Sequence, residues 1–445
     1  MRHLLFVILL LIIANISFGV ELNVMYEWKY INFTWDSEQQ EMAIKSGDYD
    51  PNVIALYDVD VAPDGRIFVT SVREKGVPAS LMTVSKEEGP NGPLLAPYPD
   101  WSWYQNDNDS QCNGIISVYR VDIKCNHLFV LDCGKIGADA VCPPQLLIFN
   151  LEDDSLVDRV IIPPDIANNK NGSGLLVTPL ADVRHCNIDN ATVFMADIEG
   201  YGLVIYKKHV GFCRIESDCM KPTDPNFTID NESFYLEDGI LGLTIIHGKL
   251  YYAALAGKKI CSMKMSDLQK CSILSDDVAD ELTQVAGILD GQTAPIASEH
   301  CAIFFNNIPE TSILCADAIK KFDSNNTEII VQNAEDLQFV SGMKVRKEKL
   351  LGLSNRFQHV YSGTLNPNET NFRIFSIDIS QIRKEKENCF ASCKHHNHRS
   401  WIRPDKPKPW FEPDKSWSHW IPWYLKHWFN EKWNTSSTLI FSKNP

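Results

Sequence analysis

A short apolar and aromatic pattern recurs six times along this 445-residue chain. Each copy follows a turn or a small polar stretch, and consecutive copies lie 47 to 65 residues apart. A period near fifty residues filled with short β runs is typical of a propeller, because one four-stranded blade must stack on neighbours to bury its faces. The sequence therefore predicts an all-β, six-bladed β-propeller. The copies are Ile67–Val69, Leu128–Val130, Val193–Met195, Leu250–Tyr252, Ile303–Phe305 and Leu350–Gly352.

A second β run precedes the copies and completes a hairpin. Tyr57–Val61 alternates in polarity before a turn at Asp64-Gly65, and Val118–Ile123 is a similar run. Asp64-Gly65 and His247-Gly248 are turn dipeptides between β-type runs. The repeat is therefore strand, turn, strand. A β-sandwich is the alternative, but it explains regular strands without explaining six equivalent copies.

Composition limits the partners of the folded body. The formal net charge is −15 and 44% of the residues are hydrophobic, which suffices for a large core. An acidic surface disfavours nucleic acid and anionic membranes and attracts small cations. Because a propeller closes on itself, the length is compatible with one domain. We expect no nucleic-acid partner and no cofactor.

The N-terminus has the three parts of a secretory signal. A basic start precedes the apolar run Leu4–Ile13, and small residues follow at Ser17 and Gly19. We assign residues 1–19 to a signal peptide and expect a secreted, extracellular protein. The run is too short for a comfortable membrane span, and no other stretch reaches its length, so we expect no transmembrane segment. Nine Asn-x-Ser/Thr motifs are predicted glycosylation sites: Asn32, Asn108, Asn171, Asn190, Asn226, Asn231, Asn325, Asn368 and Asn434.

Thirteen cysteines in an exported chain predict disulfides with one thiol left over. We expect the unpaired thiol at Cys133, which lies at a strand end without a local mate. Four cysteines surround the second and third blades, where cross-links would pin neighbouring strands: Cys112, Cys125, Cys142 and Cys186. The strand pattern favours three local pairs: Cys213 with Cys219, Cys261 with Cys271, and Cys301 with Cys315.

The last two cysteines lie beside a cluster of histidines. Cys389 and Cys393 precede His395, His396 and His398. Thiolate and imidazole are preferred ligands of zinc and copper, so a metal site is one interpretation. A disulfide next to a histidine-bearing tail is the alternative, and it is the one we prefer. We therefore predict no metal site.

Long ordered motifs extend over most of the chain. They are Gly114–Val121, Leu128–Gly134, Cys142–Phe149, Ala196–Tyr206, Asn231–Gly242 and Asn371–Ile374. These motifs resemble successive signatures of the insect yellow and major royal jelly protein family. The resemblance implies a secreted propeller, which we place at residues 20–393. It also implies disulfides between Cys112 and Cys142 and between Cys125 and Cys186.

The resemblance implies several functional classes. Some relatives are salivary proteins that bind biogenic amines, some are proposed to convert dopachrome in melanin formation, and others are food or cuticle proteins. We expect an extracellular binding protein that holds a small aromatic or amine ligand in the propeller channel. A dopachrome-converting isomerase of a pigmentation pathway is the alternative. A structural, nutritive or signalling protein without a small ligand is the third interpretation.

The resemblance also implies which residues contact a ligand. Asn355 and Phe357, in the motif Leu353–Phe357, and Phe339 match the ligand-contacting region of the amine-binding relatives. An aromatic ammonium compound needs ring stacking and an acceptor for its amine. Where those relatives carry a hydroxyl, this chain has Val340, a departure that disfavours tight amine binding. The structural alternative is that Asn355 caps a strand end and both phenylalanines belong to the core.

Four histidines at predicted strand ends are candidate general bases for an isomerase, because imidazole titrates near neutral pH. They are His185, His247, His300 and His359. An exposed or hydrogen-bonded histidine is the alternative at such positions, and we prefer it. We assign no catalytic residue.

Residues 394–445 differ in composition from the rest of the chain. They hold seven of the eleven tryptophans and five of the twelve histidines. Trp417, Trp420, Tyr424 and Trp428 share one helical face, which would suit a membrane surface or a protein partner. Pro422 interrupts that face and favours a flexible extension. We therefore predict an irregular Trp/His/Pro-rich C-terminal tail and leave both roles open.

Overall fold

The structure is a computed structural model that describes residues 20–104 and 112–393. Six four-stranded antiparallel sheets stand in a ring as blades, and the inner strand of each blade contacts the inner strands of its two neighbours. The prediction of a six-bladed propeller is confirmed. The predicted signal peptide, the predicted tail, and the acceptors Asn108 and Asn434 lie outside the described residues.

Blades 1 to 3 follow one another along the chain, after a first strand, β1 (Asn23–Trp28), that belongs to the last blade. Blade 1 consists of β2 (Leu56–Val61), β3 (Ile67–Ser71), β4 (Leu81–Gly89) and β5 (Gly92–Pro97). Blade 2 consists of β6 (Val118–Lys124), β7 (His127–Asp132), β10 (Gln145–Asn150) and β11 (Ser155–Ile161), with β8 (Lys135–Ile136) and β9 (Asp139–Ala140) as a small hairpin. Blade 3 consists of β12 (Leu176–Asp182), β13 (Thr192–Asp197), β14 (Gly202–Lys207) and β15 (Gly211–Glu216).

The small hairpin of β16 (Asn226–Ile229) and β17 (Glu232–Tyr235) separates blade 3 from blade 4. Blade 4 consists of β18 (Ile240–Ile246), β19 (Lys249–Ala254), β20 (Lys259–Lys264) and β21 (Gln284–Ile288). Blade 5 consists of β22 (Ile296–Glu299), β23 (Ala302–Asn307), β24 (Ser312–Asp317) and β25 (Glu328–Gln332). Blade 6 consists of β26 (Phe339–Arg346), β27 (Lys349–Asn355), β28 (Phe372–Asp378) and, at its edge, β1. The pairing of β1 with β28 closes the ring, a feature that the repeat count did not predict.

Short helices lie outside the blades. The longest, α1 (Ser37–Ser46), begins at Asp36, whose carboxylate accepts a hydrogen bond from the Gln39 amide at 2.8 Å, and ends at Gly47 with a φ of 81°. The others are α2 (Pro164–Ala167), α3 (Met265–Leu268), α4 (Asp276–Leu282), α5 (Phe357–Ser362) and α6 (Ile379–Glu385). Single 3₁₀ turns cover Trp101–Tyr104, Arg184–Cys186, Ile188–Asn190, Asp218–Met220, Cys271–Ile273 and Glu387–Phe390.

The hairpins between first and second strands follow the predicted turn chemistry. At Asp64-Gly65 the glycine has a φ of 98°, and at His247-Gly248 both residues have positive φ. Two residues of positive φ give the turn whose twist matches that of the flanking strands. All six recurring triplets lie in the second strand of a blade, where their side chains are buried between blades. The apolar core therefore lies between neighbouring blades.

Five of the six inner strands begin with a break in register. The breaks fall between Leu56 and Asp58, Val118 and Val121, Leu176 and Thr178, Ile240 and Gly242, and Val340 and Gly342. Such a β-bulge leaves one or two residues unpaired and re-aims their side chains. The unpaired residues are Tyr57, Tyr119, Arg120, Val177, Leu241 and Ser341.

Six disulfides tie the ring together, and Cys133 is the one free cysteine. The bonds between Cys112 and Cys142 and between Cys125 and Cys186, which the resemblance implied, are present. The three predicted local pairs are wrong. Instead, Cys213 bonds Cys271, Cys219 bonds Cys261, Cys301 bonds Cys393 and Cys315 bonds Cys389.

The predicted local pairs are wrong for a physical reason. Cys213, Cys219, Cys261 and Cys271 all lie in one apolar cluster between blades 3 and 4, so short spacing along the chain could not select their partners. Cys389 and Cys393 bond to blade 5 and not to each other, and both are held in disulfides, as the preferred interpretation of this stretch expected. Neither thiol is free for a metal. Among residues 20–104 and 112–393, no group of three or more metal-ligating side chains is present.

The seven predicted glycosylation acceptors within the described residues differ in accessibility. Asn32 is half-buried, and its side-chain oxygen accepts hydrogen bonds from the Phe33 amide, the Trp35 indole and Gln40. The other six are exposed: Asn171, Asn190, Asn226, Asn231, Asn325 and Asn368. Their modification stays a prediction.

Candidate functional site

The channel has two ends with different chemistry. We call the end where inner strands begin the upper mouth, defined by Tyr57, Tyr119, Phe339, Asn355 and Phe357. We call the end where they finish the lower mouth, defined by Asp122, Thr244, Ser298, Lys344 and Arg346. All three residues predicted to contact a ligand lie at the upper mouth.

The upper mouth is a continuous set of aromatic rings. Phe357, the first residue of α5, stacks on Phe339 with 4.7 Å between ring centroids and lies 6.5 Å from Tyr57. Tyr57 in turn lies 6.0 Å from Tyr119, and the β17 residue Phe234 lies 5.6 Å from Phe357. Phe339 is buried in the apolar cluster, whereas Tyr57, Tyr119 and Phe357 are half-buried. The bulges bring two tyrosines to this mouth, and no sequence pattern had indicated them.

A buried polar group lies behind these rings. The Asn355 amide nitrogen donates to the Leu56 carbonyl at 2.8 Å and to the Ser341 hydroxyl at 3.3 Å, while Asn355 Oδ1 is buried without a hydrogen-bond partner. Ser341 is the unpaired residue of the bulge and its hydroxyl contacts Asn355, whereas the neighbouring Val340 packs in an apolar cluster with residues of blades 5 and 6. An unpaired buried acceptor is costly unless a donor reaches it.

Asp238, which follows β17, has a raised pKa. Burial, helped by the charge of Glu199, raises the pKa of Asp238 from 3.8 to about 7. Burial raises the pKa values of Tyr57 and Tyr119. Among the smaller contributions, the charges of Glu74 and then Asp238 act on Tyr57, and those of Cys133, Tyr57, Glu199 and Asp238 act on Tyr119. Glu199 is itself paired with Lys135 at 3.0 Å. A cation that approached the Asp238 carboxylate would favour its ionised form.

The lower mouth carries paired charges around a cavity of about 540 Å³. Arg346 bridges Asp60 at 2.7 Å and Asp122 at 2.9 Å, and Lys344 lies 3.0 Å from Asp58. Burial would raise the pKa of Asp122, but Lys124, Arg346 and Lys344 together lower it. These contacts join the inner strands of blades 1, 2 and 6. Their charges are largely matched within the protein.

Arg120 links the inner strands of blades 2 and 6 beside the upper mouth. This buried residue of the β6 bulge donates from its guanidinium to the Ser341 carbonyl across the channel. Burial lowers the pKa of Arg120, although Asp58 opposes the shift. A fixed positive charge here repels any ammonium group that comes close to it.

The four candidate histidines do not meet at one place. His247 and His300 both line the lower cavity, and His300 Nε2 lies 3.1 Å from Glu299. His359 is on α5, where it contacts Arg356 and Thr364, and His185 lies in the 3₁₀ turn of the connection between β12 and β13. No described geometry joins all four as one acid–base site.

Comparisons with known proteins place this propeller among royal jelly proteins. The family model described as major royal jelly protein matches residues 116–388. Major royal jelly protein 9 of Apis mellifera is 37% identical over 380 residues, covering 81% of this chain and 88% of the relative. Major royal jelly proteins 8 and 1 of the same species are 36% and 33% identical, covering 82% and 83% of this chain and 92% and 91% of their own. The chain belongs to the major royal jelly protein family.

Within residues 20–104 and 112–393, no helix combines the length and apolar character that a bilayer crossing requires.

Proposed function

We propose that this protein is a secreted binding protein that holds a small aromatic amine at the upper mouth of its channel. The observation that carries the proposal is the convergence of half-buried Tyr57, Tyr119 and Phe357 with the unpaired acceptor Asn355 Oδ1. Aromatic faces attract a cationic ring compound, and a buried acceptor gains when a donor reaches it. Asp238 supplies the negative charge that the ammonium requires.

Secretion is supported by the sequence and by the covalent structure. Six disulfides persist only in an oxidising compartment, and five of them join different blades or join blade 5 to the segment after blade 6. Expression of the full chain in insect cells tests this part. We expect the protein in the medium, with a new N-terminus near residue 20 and a mass that falls after N-glycosidase treatment. Retention inside the cells with residues 1–19 intact would contradict it.

Isothermal titration calorimetry tests the binding function. We expect serotonin, dopamine or octopamine to bind with micromolar affinity or better. The matched ligand control is 5-hydroxyindole, which keeps the ring of serotonin and lacks the ammonium. Because the ammonium is the group that Asp238 and Asn355 would meet, the control should bind at least tenfold more weakly.

A pair of variants locates the site. Phe357→Leu removes the ring that contacts Phe339, Phe234 and Tyr57, and we expect about a tenfold loss of amine affinity. Phe212→Leu is the matched control, because Phe212 is a half-buried aromatic residue in the outer strand of blade 3 that pairs with Tyr206 away from the channel. Equal amine affinities in the two variants would show that the ligand binds elsewhere. If none of the amines gives a measurable heat of binding to the wild-type protein at millimolar concentration, the proposal is wrong.

A further inference from the structure

A large cleft lies beside α1, apart from both mouths of the channel. Its volume is about 970 Å³, and it shares none of its lining residues with the upper or the lower mouth. Trp35 and Trp101 form one wall as parallel stacked indoles, with centroids 5.2 Å apart and an interplanar angle of 5°. Met42 and Tyr104 extend this apolar surface, and Arg73 enters the cleft from the segment after β3.

Arg73 lacks the partners that a shielded guanidinium requires. Its Nε donates to the Val77 carbonyl at 3.3 Å, and its Nη1 is shielded from solvent with no hydrogen-bond acceptor. Over the described ranges, no carboxylate forms an ion pair with Arg73. The nearby Asp132 accepts from the Ile116 and Ser117 amides and from Gln145, so it is already satisfied.

Two carboxylates, Asp48 and Glu74, line the cleft itself, and in the described part of the chain neither forms an ion pair with Arg73. Asp48 accepts a hydrogen bond from the Ser46 hydroxyl at 2.5 Å. Burial lowers the pKa of Arg73, although Tyr104, Asp132 and Asp48 oppose the shift. A guanidinium that is mostly withdrawn from water and unmatched by a carboxylate is expensive, and an incoming anion would relieve the cost.

We propose that this cleft is a second binding site, for an amphiphilic carboxylate whose anionic head contacts Arg73 and whose apolar body lies along Trp35, Trp101 and Met42. Arginine suits the head because its planar fork matches the two oxygens of a carboxylate. The stacked indoles suit the body because they offer a flat apolar surface. The site is independent of the amine site and requires no ligand in the channel.

Calorimetry with a matched pair of ligands tests the proposal on the full chain. Octanoate carries the carboxylate, and octan-1-ol has the same chain length without charge. We expect octanoate to bind at least tenfold more tightly than octan-1-ol at pH 7.5. Equal affinities, or no detectable binding of octanoate at millimolar concentration, would overturn the proposal.

Two substitutions in the same cleft separate Arg73 from a general charge effect. Arg73→Gln should abolish the preference for octanoate, whereas Lys75→Gln, at an exposed lysine that also lines the cleft, should retain it. If Arg73→Gln fails to fold, Arg73→Lys keeps the charge without the fork and should reduce the preference severalfold. Retention of the full preference in the arginine variants, or its loss in Lys75→Gln, would contradict the assignment.

The chain's own acidic stretch provides a last control. Asp107 and Asp109 follow the cleft residue Tyr104 in the sequence. The double substitution Asp107→Asn with Asp109→Asn should leave octanoate affinity unchanged. A marked gain in affinity would show that this stretch neutralises Arg73 in the free protein, and it would overturn the assignment to an external ligand.

Discussion

The two mouths of the channel are built from the same six inner strands but differ in how their buried polar groups are paired. At the lower mouth, Arg346 is held between Asp60 and Asp122, so charge is balanced inside the protein. At the upper mouth, aromatic rings surround an acceptor, Asn355 Oδ1, that has no donor. A matched network stabilises the fold, whereas an unmatched group is available to a ligand. The contrast is consistent with a structural role for the lower mouth and supports the proposal that the upper mouth binds a ligand.

The largest expected effect comes from breaking the lower network. Arg346→Met removes the shared cation and leaves two buried carboxylates without it, so we expect a loss of about 3 to 5 kcal/mol in the free energy of unfolding. Urea denaturation measures this loss. Arg383→Met is the control, because the Arg383 side chain is partly exposed, lies 3.9 Å from Glu348 and keeps its packing on the Phe390 ring through the methionine, so it should cost about 1 kcal/mol or less. Similar losses in the two variants would contradict a structural role for the lower mouth.

We expect Asp238 to make the stability of the protein depend on pH. Its folded pKa of about 7 exceeds the ordinary 3.8, so its protonated form stabilises the fold below about pH 4, and that contribution disappears as the pH rises toward 7. Compared with wild type, Asp238→Asn should gain stability across this range, by up to about 4 kcal/mol. Thermal melting at pH 4, 6 and 8 checks the trend, and a difference independent of pH would refute it.

Amine affinity should also depend on the ionisation of Asp238, but it should rise with pH, whereas the stability contribution of Asp238 falls. Because a bound ammonium favours the ionised carboxylate, wild-type affinity should rise about tenfold between pH 6 and pH 8. Asp238→Asn should bind the amine weakly at both values. A flat pH profile in wild type would remove Asp238 from the site.

Substitution of Asn355, the buried amide at the upper mouth, is expected to have an intermediate effect on stability. Asn355→Leu deprives the Leu56 carbonyl of its donor, so we expect a loss of about 1 to 3 kcal/mol in unfolding free energy, together with loss of amine binding. Ser341→Ala removes only the 3.3 Å contact and should cost about 1 kcal/mol or less. Full amine affinity in Asn355→Leu would show that the unpaired oxygen is not a ligand contact.

The smallest expected effect lies at the lower mouth. Thr244→Val breaks the hydrogen bond between the Thr244 and Ser298 hydroxyls, which are 2.7 Å apart, at a cost of about 1 kcal/mol. Amine affinity should not change in calorimetry. A tenfold loss of amine affinity in this variant would show that the ligand binds in the lower cavity and that the lower mouth, not the upper one, is the binding site.

The regular features of the fold were predictable from the sequence because they repeat. Six triplets marked six second strands, and Asp64-Gly65 and His247-Gly248 marked two turns. The closing strand β1 has no repeat of its own, so its pairing with β28 depends on the completed ring. The same limit applies to the cysteines, since Cys213, Cys219, Cys261 and Cys271 become neighbours only when blades 3 and 4 pack together.

The candidate site was predictable only in part. The family motif indicated Asn355, Phe357 and Phe339, all of which lie at the upper mouth. The sequence did not indicate that Tyr57 and Tyr119 reach this mouth, because a bulge adds an unpaired residue without disturbing the apolar pattern of its strand. The same device turned Ser341, rather than Val340, toward Asn355. Asp238 lies outside the blades, after β17, where no periodic signal exists.

A crystal structure of the full protein grown with serotonin tests the central claim most directly. The ligand is expected at the upper mouth, with its ring against Phe357 and Tyr57 and its ammonium within hydrogen-bond distance of Asp238 or Asn355 Oδ1. Ligand density at the lower mouth, beside Thr244 and Ser298, or an empty channel at saturating serotonin would contradict the account.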